Sequence, residues 1–570
     1  MVSGMLASPA RRRAPVPPSP ALPWRGRGLR RPGGYWVALP ALGGAAGLGV
    51  LSALRPLLAV LLAVLLVLAA GVWARPALAA YLLIPLTPLT AGIDRGSALP
   101  VLRPQEALAF VLGSILAARG LVRLRTGQLP KIRLGQVEWA LVFMAVAGSL
   151  LPLLRMAVRQ EAIGQDDILY AMVLWKYLGL YVLIRASVST ERQIRVCLWL
   201  SVAAATVVAG LAILQSLGLF GVPHLLATYY APFGYADAFA ARGSSTLGLP
   251  AATADLAIIN LAVLAGLWTR FGRYRPALAG AAAVLVMGAL SAGEFSSAIG
   301  LLTGVICIAI VIKKPRLLWT VAPAALAAGY ALWPVISRRL SGFQSASGLP
   351  VSWTGRLTNL QTYFWPKLFS GGNFLLGVRP AARIPVATQA TGYVWIESGY
   401  TWLLWAGGIP LLAGFVFLAY AAGRRGWRAA RGGMDGLGGA VGSGARSVAG
   451  IGLFTAIVVI SVLMTFDPHL TYRGTGDAFF TLLALAAPLA AGRASHNNGA
   501  RAAAPGSGQP PPGPGGTRQD PTREVARYCR TSRPERSRTG SSHAGPCPGN
   551  WTVCWPHVTP ASAGEPSWQG

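Results

Sequence analysis

Charge is scarce in this chain, and acidic charge is the scarcest. Of 570 residues only 12% are Asp, Glu, Lys or Arg, and these comprise 18 acidic against 50 basic residues. A soluble globular domain usually carries about 25% charged residues. Hydrophobic residues, by contrast, make up 54% of the chain. This composition argues against a soluble protein and favours one that is surrounded by lipid.

Cysteine is also scarce, and the familiar hydrolase motifs are missing. Five cysteines are too scattered for a disulfide framework: Cys197 and Cys307 lie in apolar runs, which indicates packing, whereas Cys529, Cys547 and Cys554 lie in the tail without metal-ligand spacing. No HExxH, GxSxG, paired CxxC or Walker motif occurs. The sequence therefore gives no support to a metalloprotease, a serine hydrolase or an ATPase.

The chain does contain a long series of apolar runs. Runs of about 20 residues, the length that crosses a bilayer, recur from Tyr35 to Ala491. Helices satisfy every backbone polar group within one such run. We therefore predict an all-α polytopic membrane protein with about 12–14 transmembrane helices and a long outward-facing loop late in the chain. The predicted spans are 35–54, 56–74, 76–92, 104–118, 138–154, 167–184, 196–219, 251–269, 275–292, 295–312, 317–335, 395–420, 449–466 and 476–492.

Composition changes abruptly at both ends of the chain. Residues 1–34 are rich in Pro and Arg, and residues 499–570 are rich in Pro, Gly, Ser and Arg. Such segments cannot bury a core, so we predict that both are disordered tails. Residues 35–498 form the predicted transmembrane domain, and no catalysis is assigned to either tail.

The net charge of +32 is a topology signal rather than a sign of nucleic-acid binding. Many Lys and Arg residues lie in alternate short loops and in the two tails, and positive loops stay in the cytoplasm. Both termini are therefore predicted to be cytoplasmic. The loops 155–166, 220–250, 336–394 and 467–475 then face outward, and no nucleic-acid partner is expected.

The outward loop 336–394 carries many cations against this topology rule. Arg is suited to phosphate because its planar fork donates two hydrogen bonds at once, so an anionic ligand would explain them. The alternative is that so long a loop is only weakly constrained by charge. Interleaved aromatic residues would stack on sugars or lie at the membrane interface, and 355–369 has the spacing of an amphipathic helix on the membrane. The residues concerned are Arg338, Arg339, Arg356, Lys367, Arg379 and Arg383, with Trp353, Tyr363, Phe364 and Trp365.

Two shorter outward segments add further charged residues. Arg242 lies just ahead of a predicted helix, with Asp255 one turn inside it. A helix start suits an anion, although Arg242 is equally explained as an interfacial anchor. Glu294 lies in a tight turn, where it is either a solvated turn residue or the partner of an Arg from another loop.

The segment 466–480 offers a histidine among charged neighbours. His469 would act as a general base oriented by Asp467. The alternative is a capped, hydrogen-bonded turn, with Asp467 before Pro468 and Asp477 near a helix N-terminus.

Several motifs in order give the chain a resemblance to the O-antigen ligase/polymerase family of bacterial membrane proteins. The resemblance covers roughly 170–480. The motifs are 174-LWKYLGLYVLIRASVSTERQIR-195, 211-LAILQSLGLFGV-222, 242-RGSSTLGLPAATADL-256, 291-SAGEFSSAIGLLTGV-305, the GR…P…GVRP loop at 355–380, and 396-IESGYTWLLWAGGIPLL-412.

The resemblance implies glycosyl transfer at the outer face of the bacterial cytoplasmic membrane, without metal or other cofactor. The donor would be a polyprenyl-diphosphate-linked oligosaccharide, and the acceptor a sugar hydroxyl on a glycan, lipid or protein. Membrane lipid and other polysaccharide-assembly proteins are the further expected partners. Arg242, Arg356 and Arg379 match the family's cations, and Arg383 of the same loop joins them as a predicted diphosphate ligand.

The predicted catalytic base is Glu397, with His469 in reserve. Many family members have His where this chain has Glu397, which favours a polymerase over a ligase. A carboxylate also accepts the proton of an attacking hydroxyl, and partial desolvation raises its basicity. The alternative is a solvated carboxylate at a helix start. Rival functions are a transporter of a small anion or lipid-linked glycan, and a non-catalytic assembly scaffold.

Overall fold

A computed structural model describes residues 55–93 and 95, 102–127, 134–230, 242–314, 351–386, 392–432 and 444–488, with a few separate residues of 323–337. The predicted tails 1–34 and 499–570, the span 35–54, most of the span 317–335, and the loop residues Arg338 and Arg339 lie outside the described residues.

Long apolar helices make up most of the described chain. Nine helical segments within it are long and apolar enough to cross a membrane. The helices are α1 (Pro56–Ala74), α2 (Ala77–Thr90), α3 (Pro104–Arg125), α4 (Gln136–Ala147), α5 (Leu150–Val158), α6 (Gln165–Ser187), α7 (Glu191–Ser216), α8 (Val222–Tyr230), α9 (Pro250–Arg270), α10 (Arg275–Ser291), α11 (Phe295–Ile312), α12 (Val351–Asn359), α13 (Trp365–Phe369), α14 (Asn373–Leu376), α15 (Gly399–Gly432), α16 (Gly444–Leu463) and α17 (Thr475–Leu485). The prediction of an all-α polytopic membrane protein is confirmed, while the helix count of the whole chain stays a prediction.

The remaining elements are short. Strands β1 (Arg383–Pro385) and β2 (Tyr393–Trp395) pair antiparallel, with Arg383 opposite Trp395. A π-helical turn, Leu360–Phe364, joins α12 to α13. The 3₁₀ turns are Ser245–Leu247, Gly272–Tyr274, Ser370–Gly372 and His469–Thr471.

Helix α9 is the centre of the bundle. It begins at Pro250, whose missing N–H suits the first position of a helix, and nearly all of its side chains are buried. It packs against α7, α10, α11 and α16. Its many Ala residues let these neighbours approach closely, which is how helices associate where water supplies no driving force.

Helix α15 is broken, although the sequence predicted one continuous span over 395–420. Gly408 adopts φ 66° and ψ −159° and is followed by Pro410. A Cβ at Gly408 would lie 2.4 Å from the carbonyl oxygen of Leu375. The amide of Val378 donates to the carbonyl of Trp405 at 2.6 Å. The break therefore lets α14 and the residue after Gly377 pack directly on the backbone of α15.

The predicted amphipathic helix 355–369 is helical but interrupted by the π turn. Leu360 and Phe364, two of its predicted apolar face, are buried. The ring of Phe364 packs edge-on against that of Trp405, with centroids 5.2 Å apart. Part of this face therefore packs against α15, while Leu357 is 45% exposed.

Most ion pairs of the bundle lie where α6, α9 and α11 begin and α16 ends, which we call the loop end. Residues 351–386 are joined to the bundle there through Asp167 and Asp467. At the opposite end Arg425 of α15 contacts Glu138 of α4 at 3.2 Å.

Candidate functional site

A polar cleft of about 370 Å³ opens at the loop end, between the segment before α9, the start of α11, α12 and the residues before α15. Small-molecule sites usually occupy about 300–1,000 Å³. Its walls are formed by Arg242, Glu294, Phe295, Ser296, Ser352, Trp353, Gly355, Arg356, Asn359 and Glu397. Three predicted site residues, Arg242, Arg356 and Glu397, thus come together from distant parts of the sequence.

Arg356 lies between two carboxylates. Its Nη1 donates to Oδ2 of Asp467 at 2.7 Å, and its Nε lies 3.8 Å from Oε1 of Glu397. Burial lowers the pKa of Arg356, but Asp467 and Glu397 more than offset this effect, so its pKa is raised. The guanidinium is therefore always charged, and Asp467 fixes it beside Glu397.

Glu397 occupies the cleft two residues before α15. Its side chain is 32% exposed, and Asn359, the last residue before the π turn, donates from Nδ2 to Oε2 at 3.5 Å. Burial raises the pKa of Glu397 above its ordinary value of 4.5, although Arg356 opposes this shift. The carboxylate is thus a stronger base than a free glutamate and is reached from the cleft.

Arg242 and Glu294 form the opposite wall of the cleft. Arg242 Nη2 donates to Glu294 Oε1 at 2.7 Å, so Glu294 is the partner of an Arg from another loop rather than a solvated turn residue. Ser296 Oγ also donates to Glu294, at 3.2 Å. Within the described residues, the buried Nε of Arg242 has no hydrogen-bond partner.

The structure does not bring Arg379 and Arg383 to the cleft. Arg379 donates to the fully buried Asp167 from Nε at 2.9 Å and from Nη2 at 2.5 Å. Arg383 pairs with the more exposed Asp166 and lies over the ring of Tyr393, 4.7 Å from its centroid. Both arginines fasten the chain around β1 to the start of α6.

His469 is also outside the cleft walls. It is buried, and its Nδ1 lies 2.6 Å from Oδ2 of Asp255, which also accepts from Thr475 Oγ1 at 3.1 Å. The expectation that Asp467 orients this ring is wrong, because the Asp467 carboxylate is held by Arg356 and only its carbonyl contacts the His469 amide, at 2.7 Å. Burial lowers the pKa of His469, but Asp255 raises it further, and the net direction is upward.

The predicted turn 466–480 also contains a helix cap. The amide of Gly474 donates to Oδ2 of Asp477 at 3.0 Å, in the first turn of α17. This contact agrees with the capped-turn interpretation of 466–480. Among the residues that the structure describes, no three His, Cys, Asp or Glu side chains gather as a metal site.

Comparisons with protein-family models, with curated proteins and with solved structures gave no match to this chain. The fold defines a multi-pass helical membrane protein with a polar cleft at one end. The family resemblance rests on the sequence motifs alone.

Proposed function

We propose that this protein is a polymerase or ligase of a cell-surface polysaccharide, acting at the outer face of the bacterial cytoplasmic membrane with both termini in the cytoplasm. It would transfer glycan from a polyprenyl-diphosphate donor to a sugar hydroxyl. The observation that carries the proposal is the position of Glu397, 3.8 Å from Arg356, in a cleft that Arg242 also lines. A base and two cations are the groups that this reaction requires.

In the proposed step, Glu397 accepts the proton of the acceptor hydroxyl. The acceptor oxygen forms a bond to the anomeric carbon of the donor sugar. The bond from that carbon to the diphosphate oxygen breaks, and polyprenyl diphosphate leaves with the electron pair. The family resemblance implies inversion at the anomeric carbon by this direct displacement.

The ion pairs of the cleft couple the two halves of this step. Arg356 is partly neutralised by Glu397 while that carboxylate is charged. When Glu397 takes the proton, its negative charge disappears beside the guanidinium. Arg356 then stabilises the charge that develops on the leaving diphosphate, and Arg242, on the opposite wall of the cleft, is the second cation.

The test uses a bacterial strain that lacks this protein and carries plasmid copies with single substitutions. Glu397→Gln should abolish glycan lengthening at unchanged protein level and topology. Single repeat units on the lipid carrier would indicate a polymerase, which the Glu at position 397 favours, and full-length polymer stranded on its carrier would indicate a ligase. Normal polymer in the Glu397→Gln strain would reject the base assignment.

One observation favours the rival function of a transporter. Asp255 and His469 form a buried pair inside the helix bundle, and such pairs also occur on ion and proton pathways. Asp255 nevertheless lies only in the second turn of α9, near the loop end, and the break in α15 is filled by the backbone around Val378. A transporter would leave lipid-linked donor trapped on the cytoplasmic side in the deletion strain.

A further inference from the structure

The indole of Trp353 is fixed within the wall of the cleft. It lies in the first turn of α12 and meets Phe295 edge-on, with ring centroids 6.3 Å apart and planes at 88°. Phe466, from the turn after α16, lies 5.2 Å away at 37°. Rings from two other elements therefore hold the indole in one orientation, as aromatic clusters do.

The groups around this indole suit a saccharide. Ser296, Ser352 and Asn359 line the same cleft and offer hydroxyl and amide groups. A sugar ring presents an apolar C–H face, which stacks on an aromatic ring, and a rim of hydroxyls, which need donors and acceptors. Glu397 lies in the same cleft and accepts from Asn359 at 3.5 Å, so a hydroxyl bound there would reach the carboxylate.

The charges beside Glu397 disfavour an acidic acceptor sugar. Two guanidinium groups, Arg242 and Arg356, face three carboxylates: Glu294 at 2.7 Å, Asp467 at 2.7 Å and Glu397 at 3.8 Å. A further carboxylate beside Glu397 would meet like charge without compensation, which is costly at an interface. The proposed donor diphosphate contacts Arg242 and Arg356, whereas the acceptor hydroxyl lies beside the Glu397 carboxylate, so repulsion by Glu397 acts on the acceptor sugar.

We infer that Trp353 is the platform on which the acceptor sugar stacks, and that this subsite takes a neutral or amino-bearing sugar rather than a uronate. This inference rests on the proposed function for the word acceptor. The stacking and the charge preference themselves are binding properties, so they are tested separately from the transfer reaction.

The experiment is saturation-transfer difference NMR on the full-length protein in lipid nanodiscs. Intrinsic fluorescence is unsuitable, because the chain has 18 Trp residues. The probes are methyl glucoside, methyl glucosaminide and methyl glucuronide, which share one ring shape and differ in charge. We expect the first two to bind and the glucuronide to bind at least about tenfold more weakly.

Four variants separate the parts of the inference. Trp353→Ala should abolish the signal, and Trp353→Phe, which keeps an aromatic face and the fold, should retain part of it. Trp139→Ala is the matched control, because Trp139 is 57% exposed and lies in α4 at the opposite end of the bundle. Glu294→Gln removes one carboxylate and should narrow the gap between glucoside and glucuronide.

Each result decides one point. Unchanged binding in Trp353→Ala overturns the platform. If the alanine variant does not fold, unchanged binding in Trp353→Leu, which has no aromatic face, overturns it instead. Equal binding of all three probes overturns the charge preference. If saccharide binding depends on Trp353 but the deletion strain makes normal glycans, the proposed function is wrong and the saccharide subsite is still supported.

Discussion

Two adjacent aspartates at the start of α6 provide a sharp test of the ion pairs that hold the loop end. Asp167 is fully buried and accepts four hydrogen bonds, two from Arg379 and one each from the amides of Gly164 and Ala381, at 2.5–3.3 Å. Asp166 pairs with Arg383, and the two side chains are 38% and 30% exposed. The same change, Asp to Asn, should therefore have very different effects at the two positions.

The magnitudes follow from burial. Breaking a buried ion pair costs about 3–5 kcal/mol. The Arg379 side chain is 35% exposed, so water replaces part of what it loses, and we expect a cost of about 2–3 kcal/mol for Asp167→Asn. An exposed pair contributes about 0.2–1 kcal/mol, so Asp166→Asn should cost less than about 1 kcal/mol.

Hydrogen–deuterium exchange measures this difference where it arises. A loss of about 2–3 kcal/mol raises local opening about 30–150-fold, so amides of 378–386 should exchange faster by that factor in Asp167→Asn. Asp166→Asn should change them less than about fivefold. The variant Arg379→Gln combined with Asp167→Asn should cost less than the sum of the two single changes. Equal exchange in the two aspartate variants would refute the reasoning from burial.

Three further predictions concern the cleft and the buried pair. The pKa of Glu397 is raised, so as the pH falls its carboxylate is protonated at a higher pH than that of a free glutamate. The acidic limb of the pH–rate profile for glycan transfer should therefore lie above pH 4.5. Glu397→Gln should be about 10²–10⁴-fold slower, and its residual rate should lack this limb. An acidic limb that persists in that variant would assign it to another group. Arg356→Lys should reduce the rate at which membranes consume the lipid-linked donor, because an ammonium lacks the planar fork with which Arg can contact Asp467 and a diphosphate at once. An unchanged rate would show that Arg356 does not contact the diphosphate. Asp255→Asn should lower the free energy of unfolding of the purified protein by about 3–5 kcal/mol, because His469 loses its buried partner. An unchanged free energy of unfolding would show that the two side chains do not stabilise each other.

The spans were predictable wherever an apolar run ends at a strong local signal. The predicted 295–312 coincides with α11, and the predicted 251–269 falls within one residue of α9 at each end. Pro250 and the Gly293–Glu294 turn mark these starts in the sequence. The break at Gly408 was not predicted, because Gly-Gly ahead of Pro410 is tolerated in a membrane helix unless another segment packs against it.

The ion pairs were much less predictable than the spans. The sequence singled out Arg356 and Arg379 as cations, but their partners Asp467 and Asp167 lie 111 and 212 residues away. Charge spacing along the chain carries no information on such distant contacts. The assignment of Asp467 to His469 was wrong for this reason: proximity in sequence favoured it, whereas the fold gives Asp467 to an arginine of another segment.

Burial divides the ionisable groups of the loop end into two kinds, and this division matches the two roles that we propose for them. Asp167 and Asp255 are buried and accept hydrogen bonds from fixed partners, so removing such a partner would cost several kcal/mol. Arg242, Arg356 and Glu397 keep 24–32% of their side chains exposed and line one cleft. A group that exchanges a proton or accepts a substrate must be able to change partner at low cost. Glu397 is the most exposed of the three, whereas Arg356 is held by Asp467, 7% exposed, and Arg242 is held by Glu294.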